Sequence, residues 1–359
     1  MPPTFRKPIF SKVMTGESAE GDRLHLWVED KIEPNTPSSG TLNSLLNLLV
    51  YQPGVLSVEK RLFGSTAVPP SGDRDVHVLI AAVKPYENHG KKFGFDGFFN
   101  VFDQMTEEEA NKYDQHSNEK NIIYINALND VASEYMQAVV VHELSHLLIH
   151  ANDDGSIDPW LNELLAEASM QILQFYTDTE HVNKYRQNSE WPLAVKGMGI
   201  SYGATSLFGE YLMKRFPPEK IGDLVKARGI AFGRVEEVYG SSWANLWADY
   251  VVWLFEQKPL SGFSGAEVPV KENASTHTIA ATGVKYLSAL VVDDQFRIVS
   301  VPHDCVKSAN IVRTKTVSRA RAEQIEQATA LWVESVPPCA AQRGESAYGK
   351  DAFVLKYVN

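Results

Sequence analysis

Cysteine, long apolar runs and positive charge are scarce in this sequence, and each scarcity excludes a class of protein. The chain has 359 residues but only 2 cysteines, Cys305 and Cys339, both far from every other candidate site residue, which argues against an enzyme with a cysteine nucleophile. No run approaches the roughly 18 consecutive apolar residues of a membrane span, so we expect no membrane-spanning segment. Acidic residues outnumber basic ones by 45 to 34, and the net charge of -11 disfavours nucleic acid as a partner.

The cellular compartment stays open on these residues alone. Cys305 and Cys339 are compatible with one disulfide in an exported protein, and equally with two buried thiols in a cytosolic one. The first ten residues, MPPTFRKPIF, lack the apolar core of a signal peptide. A mature form whose leader had been removed would look the same, so export is not excluded.

Periodicity and turn residues predict an α+β protein with three regions. The first, residues 1–151, is predicted to be an α/β lobe that carries the main motif on a helix. Its expected strands and helix are Arg23–Glu29, Val76–Val83, Asn121–Ile125 and the helical stripe of Thr41–Tyr51. Residues 152–260 are predicted to form a helical lobe, and residues 261–359 a small β-rich domain of unknown role.

Residues 142–146 have the sequence HELSH, inside an apolar helix predicted to begin after Ser133 and to reach His150. Positions four apart on a helix lie about 40° apart around the axis and about 6 Å along it, so His142 and His146 can direct two imidazoles at one metal ion. Glu143, one position on, can reach a water beside that ion and act as general base. The alternative interpretation is a core helix whose histidines hydrogen-bond to the backbone.

A catalytic zinc site needs a third protein ligand and an open position. The metzincin pattern would place Gly at 149 and His at 152, but the chain has Ile149 and Asn152, which excludes that class. His150 is also excluded, because eight residues of helix separate it from His142 by about 12 Å. We expect His150 to lie at the surface or beside the ligands.

Two carboxylates four residues apart follow on a second predicted helix, which begins at Pro159 after the capping residue Asp158 and runs to about Tyr176. Between His146 and Glu163 lie 16 residues, and between His146 and Glu167 lie 20. Spacing alone therefore leaves open which of the two is the ligand.

At this point the sequence resembles the gluzincins, zinc peptidases of the thermolysin type, and looks most like their hyicolysin family. The specific matches are HELSH and Trp160-Leu161-Asn162-Glu163, with Glu167 four residues later. Softer matches extend the resemblance over roughly residues 20–255, namely LWVED (26–30), GFFNVFD (97–103), IIYIN (122–126) and SYGATSLFGEYL (201–212). Residues 262–359 carry no such resemblance.

The resemblance implies a set of site residues. His142, His146 and Glu163 would hold zinc, and Glu167 would accept a hydrogen bond from His142 and fix its tautomer, with the reversed roles of the two glutamates as the alternative. Glu143 would be the general base, and Tyr202 would steady the oxyanion. A packing role at a helix start is an equally open interpretation of Tyr202.

The resemblance also implies a fold, a reaction and a location. We expect a zincin-like fold in which a mixed sheet packs on the motif helix, and hydrolysis of a peptide or protein substrate by an activated water with Glu143 as base. The substrate would pair with an edge strand, for which Gly97–Phe102 is the candidate. Relatives of this kind imply a secreted or periplasmic protein.

Two other functions remain open on the sequence. A non-catalytic binding protein could use zinc only to hold two helices together, which predicts a fourth protein ligand in place of water. A zinc hydrolase of a non-peptide bond would keep every residue role and change only the substrate.

Overall fold

The structure is a computed structural model that describes most of the chain up to residue 257 and a set of strands beyond it. The described residues are 9–30, 32, 36–51, 54–88, 91–175, 179–187, 193, 199–229, 231–257, 266–267, 275–280, 284–289, 296–300, 311–321, 324–334 and 350–357. The predictions for Cys305 and Cys339 and for a linker at 261–265 lie outside these residues.

The chain divides into two compact units. The first comprises Met1–Ile157, Leu165–Thr177 and Pro217–Arg228, and the second comprises Asp158–Leu164, Asp178–Phe216 and Gly229–Asn359. The three-region division drawn from the sequence stays a prediction. The mixture of helices with a mixed sheet agrees with the predicted α+β class.

Helices account for much of the described chain. In chain order they are α1 (Ser39–Val50), α2 (Val55–Phe63), α3 (Glu107–Asn111), α4 (Glu134–Asn152), α5 (Pro159–Ile172), α6 (Thr179–Gln187), α7 (Gly199–Arg215), α8 (Asp223–Lys226), α9 (Ala231–Tyr239) and α10 (Trp243–Gln257). Among the described residues, 3-10 turns occur at Val101–Gln104 and Pro218–Gly222. The predicted helix at Thr41–Tyr51 is confirmed as α1, in which Leu42, Leu45, Leu46 and Leu49 form one buried stripe.

A five-stranded mixed sheet lies in the first unit. Across the sheet, the strands are β1 (Phe10–Glu17), β2 (Arg23–Glu29), β3 (Val76–Ala81), β7 (Asn121–Asn126) and β6 (Gly97–Phe99). Strands β2, β3 and β7 run parallel, whereas β1 and β6 are antiparallel to their neighbours. The three parallel strands are buried along nearly their whole length, as strands covered on both faces are. A separate ribbon pairs β4 (Tyr86–Asn88) with β5 (Lys91–Phe93).

Several element boundaries differ from the predictions by a few residues, and two of these differences have a clear local reason. Strand β3 ends at Ala81 rather than Val83, because the side chain of Asn126 bonds both the N–H and the carbonyl of Val83 and takes the place of a ladder partner. Helix α5 begins at Pro159 as predicted but ends at Ile172, short of the expected 176. Gln174 has a φ of 59°, and the N–H of Phe175 bonds the carbonyl of Met170, which closes the helix.

The third boundary concerns the candidate substrate edge. The strand expected over Gly97–Phe102 covers only Gly97–Phe99, as β6. The side-chain oxygen of Asn100 accepts from the N–H of Phe102 and starts the 3-10 turn that follows. The chain therefore leaves the sheet at Asn100.

A polar network links strands β2 and β3 to the residues just before β3 and β7. Trp27 donates its indole N–H to Nδ1 of His77 at 3.0 Å, and Nε2 of His77 lies 3.1 Å from a carboxylate oxygen of Asp73. Lys120 pairs with the same carboxylate. Burial lowers the pKa of His77 to about 4, and the neutral ring suits the indole donor, which needs an unprotonated Nδ1.

The end of α4 is fastened to the segment after α2. Asn152 donates its side-chain N–H groups to the carbonyl oxygens of Ser65 at 2.7 Å and Leu148 at 2.8 Å. Gly64 lies against this amide with a φ of 111°, and a methyl group there would come within 2.2 Å of Oδ1 of Asn152. Only glycine suits both the backbone conformation and the space.

The second unit contains an aromatic cluster and the C-terminal strands. Trp160, at the start of α5, packs against aromatic rings of α7, α9 and α10, namely Phe208, Phe232 and Trp243. The C-terminal strands are β8 (Ala266–Glu267), β9 (Ser275–Ala280), β10 (Val284–Ala289), β11 (Phe296–Ser300), β12 (Ile311–Arg321), β13 (Gln324–Glu334) and β14 (Lys350–Tyr357). They pair in the orders β12-β13-β10-β8 and β11-β14-β9. The described residues beyond 257 all lie in strands, which agrees with the β-rich character predicted for residues 261–359.

Across the part of the chain that the structure describes, no helix has both the length and the apolar character needed to cross a membrane.

Candidate metal centre

The HELSH motif lies in the middle of α4, a largely buried helix. The side chain of Ser133 caps it, as predicted, by accepting from the N–H of Met136 at 3.2 Å. Every residue from Glu143 to Ile149 is buried, so this part of α4 is covered by other parts of the protein around its whole circumference.

The two motif histidines face each other. Their Nε2 atoms lie 3.0 Å apart, with ring centroids at 4.6 Å and an interplanar angle of 85°. Two imidazoles bound to one tetrahedral zinc at about 2.0–2.1 Å would have nitrogens separated by roughly 3.3 Å. The observed separation is close to that value, so His142 and His146 fit a shared metal ion with little movement.

A carboxylate from the next helix completes the group. The ligand atoms of His142, His146 and Glu163 all lie within 4.8 Å of one another. Pro159 starts α5, and the carbonyl of Asp158 accepts from the N–H of Leu161, so Glu163 falls in the first turns of that helix. Two imidazole nitrogens and one carboxylate oxygen form a donor set that a divalent metal ion could use.

Glu167 lies on the other side of His142. Its Oε1 atom is 3.5 Å from Nδ1 of His142, the ring nitrogen opposite the one that faces His146. This separation is long for a hydrogen bond, yet it puts the carboxylate where it can orient the ring. The structure thus places Glu163 with His142 and His146, and Glu167 beside Nδ1 of His142. The spacing of the two glutamates in the sequence left these positions open.

Glu143 is buried against the backbone of the edge strand β6. A methyl group on Gly97 would lie 2.8 Å from Cγ1 of Val139 and 3.0 Å from Cγ of Glu143. Glycine at this position therefore lets β6 approach α4 closely, which is a common reason for glycine inside a strand. The side chain of Glu143 lies next to the strand that borders the described sheet.

Glu59 of α2 is a residue of this region that sequence reasoning missed. It is 0% exposed, and its Oε1 accepts hydrogen bonds from Ser145 at 2.8 Å and Ser169 at 2.7 Å. Burial raises the pKa of Glu59 to about 8, against the opposing effects of the two hydroxyl groups and of His146. In the sequence, Glu59 is marked only as the one acidic residue of VLSVEKRLF, a segment for which no helix was predicted.

The remaining predicted residues are located as follows. Tyr202 lies in the first turn of α7, with its ring 5.8 Å from that of His181, and its proposed role at the oxyanion stays a prediction. His150 lies near the end of α4 with its ring 5.6 Å from that of Phe99.

Comparison with known proteins adds no identity to this geometry: no protein-family model matches the chain, and no curated protein matches it.

Proposed function

We propose that this protein is a zinc-dependent endopeptidase of the gluzincin type with a zincin-like fold. The observation that carries the proposal is the convergence of His142, His146 and Glu163 beside a buried Glu143. The donor set of two imidazoles and one carboxylate is typical of catalytic zinc sites that keep one position for water. The sequence resemblance and the motif helix packed beside an antiparallel edge strand support the same assignment.

Bound zinc would polarise the scissile carbonyl and lower the pKa of a water molecule. Glu143 would accept the proton of that water and pass it to the leaving amine. Glu167 would hold the ring of His142 through Nδ1, so that Nε2 stays directed at the metal. Export, as the resemblance implies, forms part of this proposal.

The edge strand offers a way to hold an extended substrate. Strand β6 pairs with β7 on one side and borders the sheet among the described strands. A peptide adding to the other side of β6 would bond to the main chain of Gly97–Phe99 and pass next to Glu143. We therefore expect cleavage of extended or unfolded polypeptide in preference to compact folded domains.

The test compares the native chain with Glu143→Gln, which keeps the size of the side chain but cannot take a proton. Glu134→Gln is the matched control, because Glu134 is an exposed glutamate on the same helix. We expect all three to bind one zinc, and Glu143→Gln to lose about 10²–10⁴-fold in kcat on a mixed peptide pool followed by mass spectrometry. Zinc content is measured on the same preparations.

Each contrary result points to a different error. Equal cleavage by the native chain and Glu143→Gln would remove the base assignment. A native chain that binds zinc tightly but cuts no peptide would favour a zinc site that only joins helices, or a different substrate bond. Failure of the native chain to bind zinc would remove the metal assignment itself.

A further inference from the structure

Glu59 joins the two helices that carry the metal-binding residues. A glutamate is rarely buried completely, yet this one is 0% exposed. Its Oε1 accepts from the hydroxyl of Ser145 on α4 and from that of Ser169 on α5. Both serines are themselves fully buried. One carboxylate oxygen on α2 therefore bridges α4 and α5.

The two serines are close neighbours of the site residues along the chain. Ser145 directly precedes His146, and Ser169 follows Glu167 by two positions. The hydroxyl of Ser145 also lies 3.0 Å from the carbonyl of Val141, the ordinary partner of a serine inside a helix. Because a hydroxyl has one hydrogen, the bond to Glu59 competes with that local bond.

Stability alone gives a poor reason for a carboxyl group at this position. Its second oxygen, Oε2, is buried and makes no hydrogen bond with the residues that the structure describes. Burying a carboxyl group costs free energy that two hydroxyl donors return only in part, and a packed apolar side chain would avoid that cost. The group is better explained by the geometry that it imposes.

We propose that Glu59 is a positioning residue, which sets α4 against α5 through Ser145 and Ser169 and so fixes where His142 and His146 meet Glu163. This inference rests on the proposed metal site. It concerns metal affinity and coordination geometry, which can be measured without any turnover. Glu59 itself contacts neither substrate nor metal in this role.

The test uses a graded set of variants. Glu59→Gln keeps a carbonyl oxygen for the two hydroxyls, Glu59→Met removes it at similar length, and Ser169→Ala breaks only the link to α5. Ser57→Ala is the matched control: Ser57 is also buried on α2, but its hydroxyl bonds to Glu20. Zinc affinity is measured by competition with a chelator, and the visible spectrum of the Co²⁺-loaded protein reports ligand geometry.

We expect Glu59→Met to weaken zinc binding by about 10–100-fold, the range for residues that orient metal ligands, and to change the Co²⁺ spectrum. Glu59→Gln should recover most of the affinity, and Ser169→Ala should lose less than Glu59→Met. The double variant of Glu59→Met with Ser169→Ala should lose no more than Glu59→Met alone, because both remove the same bridge. Ser57→Ala should bind zinc within about twofold of the native chain.

The inference is overturned if Glu59→Met and Ser169→Ala bind zinc with native affinity and give the native Co²⁺ spectrum, whatever their stability. If Glu59→Met fails to fold, Ser169→Ala decides the question, since it keeps most of the packing: native zinc affinity with the native Co²⁺ spectrum would then overturn the inference. A native chain that binds zinc without cutting peptides would remove the proposed function and leave these metal measurements valid. A native chain that binds no zinc would overturn both.

Discussion

Replacing Gly97 with alanine should impair the proposed peptide hydrolysis through a single methyl group. That group would lie 2.8 Å from Cγ1 of Val139, 3.0 Å from Cγ of Glu143 and 3.1 Å from the carbonyl oxygen of Tyr124. Carbon atoms pack best at about 3.5–4.0 Å, so the neighbours must give way by roughly 0.5–1 Å. The carbonyl is held in the sheet and Val139 in α4, and the side chain of Glu143 has the most freedom to move.

A displacement of about 1 Å at a catalytic group can cost about 10²-fold in rate, and overpacking costs about 1–3 kcal/mol in the free energy of unfolding. We therefore expect Gly97→Ala to lower kcat by about 10²-fold while zinc content stays native. The assay is steady-state cleavage of one fluorogenic peptide, with thermal unfolding measured in parallel.

Gly94→Ala is the control for this prediction. It lies three residues earlier in the same segment, and an added methyl group would meet only Cγ of Pro85, at 3.9 Å. Its kcat and stability should stay close to native. A Gly97→Ala variant with native kcat would refute the reasoning, because the base would then tolerate the contact or take no part in the reaction.

Three further predictions concern other parts of the first unit. Glu167→Gln should weaken zinc binding by about 10–100-fold in a chelator competition, and native affinity would show that the carboxylate does not orient His142. Burial lowers the pKa of His77 from 6.5 to about 4, so on acidification the unfolded chain protonates this histidine before the folded chain does. The free energy of unfolding that is present at neutral pH should therefore fall by up to about 3 kcal/mol as the pH drops from 6.5 to about 4. Denaturant unfolding of His77→Gln, which keeps a donor and an acceptor, should show a flatter dependence there, and an unchanged slope would assign the effect to other groups. Gly64→Ala should lower the free energy of unfolding by about 2 kcal/mol or more. Gly155→Ala is its control and should lower it by about 1 kcal/mol, because the added methyl group meets nothing within 4 Å. Equal losses would mean that the contact between the methyl group at position 64 and Asn152 is relieved at no cost.

Strong local patterns account for the parts of the fold that sequence reasoning obtained. Strand β2 was predicted with its observed ends because apolar residues occupy every second position along it. Helix α4 was predicted because a capping serine precedes a long apolar run. His142 and His146 follow from a spacing of four on such a helix. The positions of Glu163 near both histidines and of Glu167 at Nδ1 of His142 do not follow in this way, because both glutamates lie on one helix face and only the packing of α5 decides where each carboxylate lies.

No helix was predicted for α2, although its sequence, VLSVEKRLF, spaces apolar residues as an amphipathic helix does. Glu59 occupies a buried position of that helix, where a periodicity argument expects an apolar side chain. Its partners Ser145 and Ser169 lie 86 and 110 residues away along the chain. A contact over such distances depends on tertiary packing, which no local pattern contains.

The burial of α4 has a consequence for how the protein would take up the proposed zinc ion. Seven consecutive residues, Glu143–Ile149, are buried, so the surrounding side chains keep this helix in place from several directions. In small zinc modules the ion itself drives folding, and chelation unfolds them. We expect the opposite behaviour here, with an apo form that keeps its shape and refills when zinc returns. Zinc supply would then determine when the protein becomes active, independently of when it is synthesised.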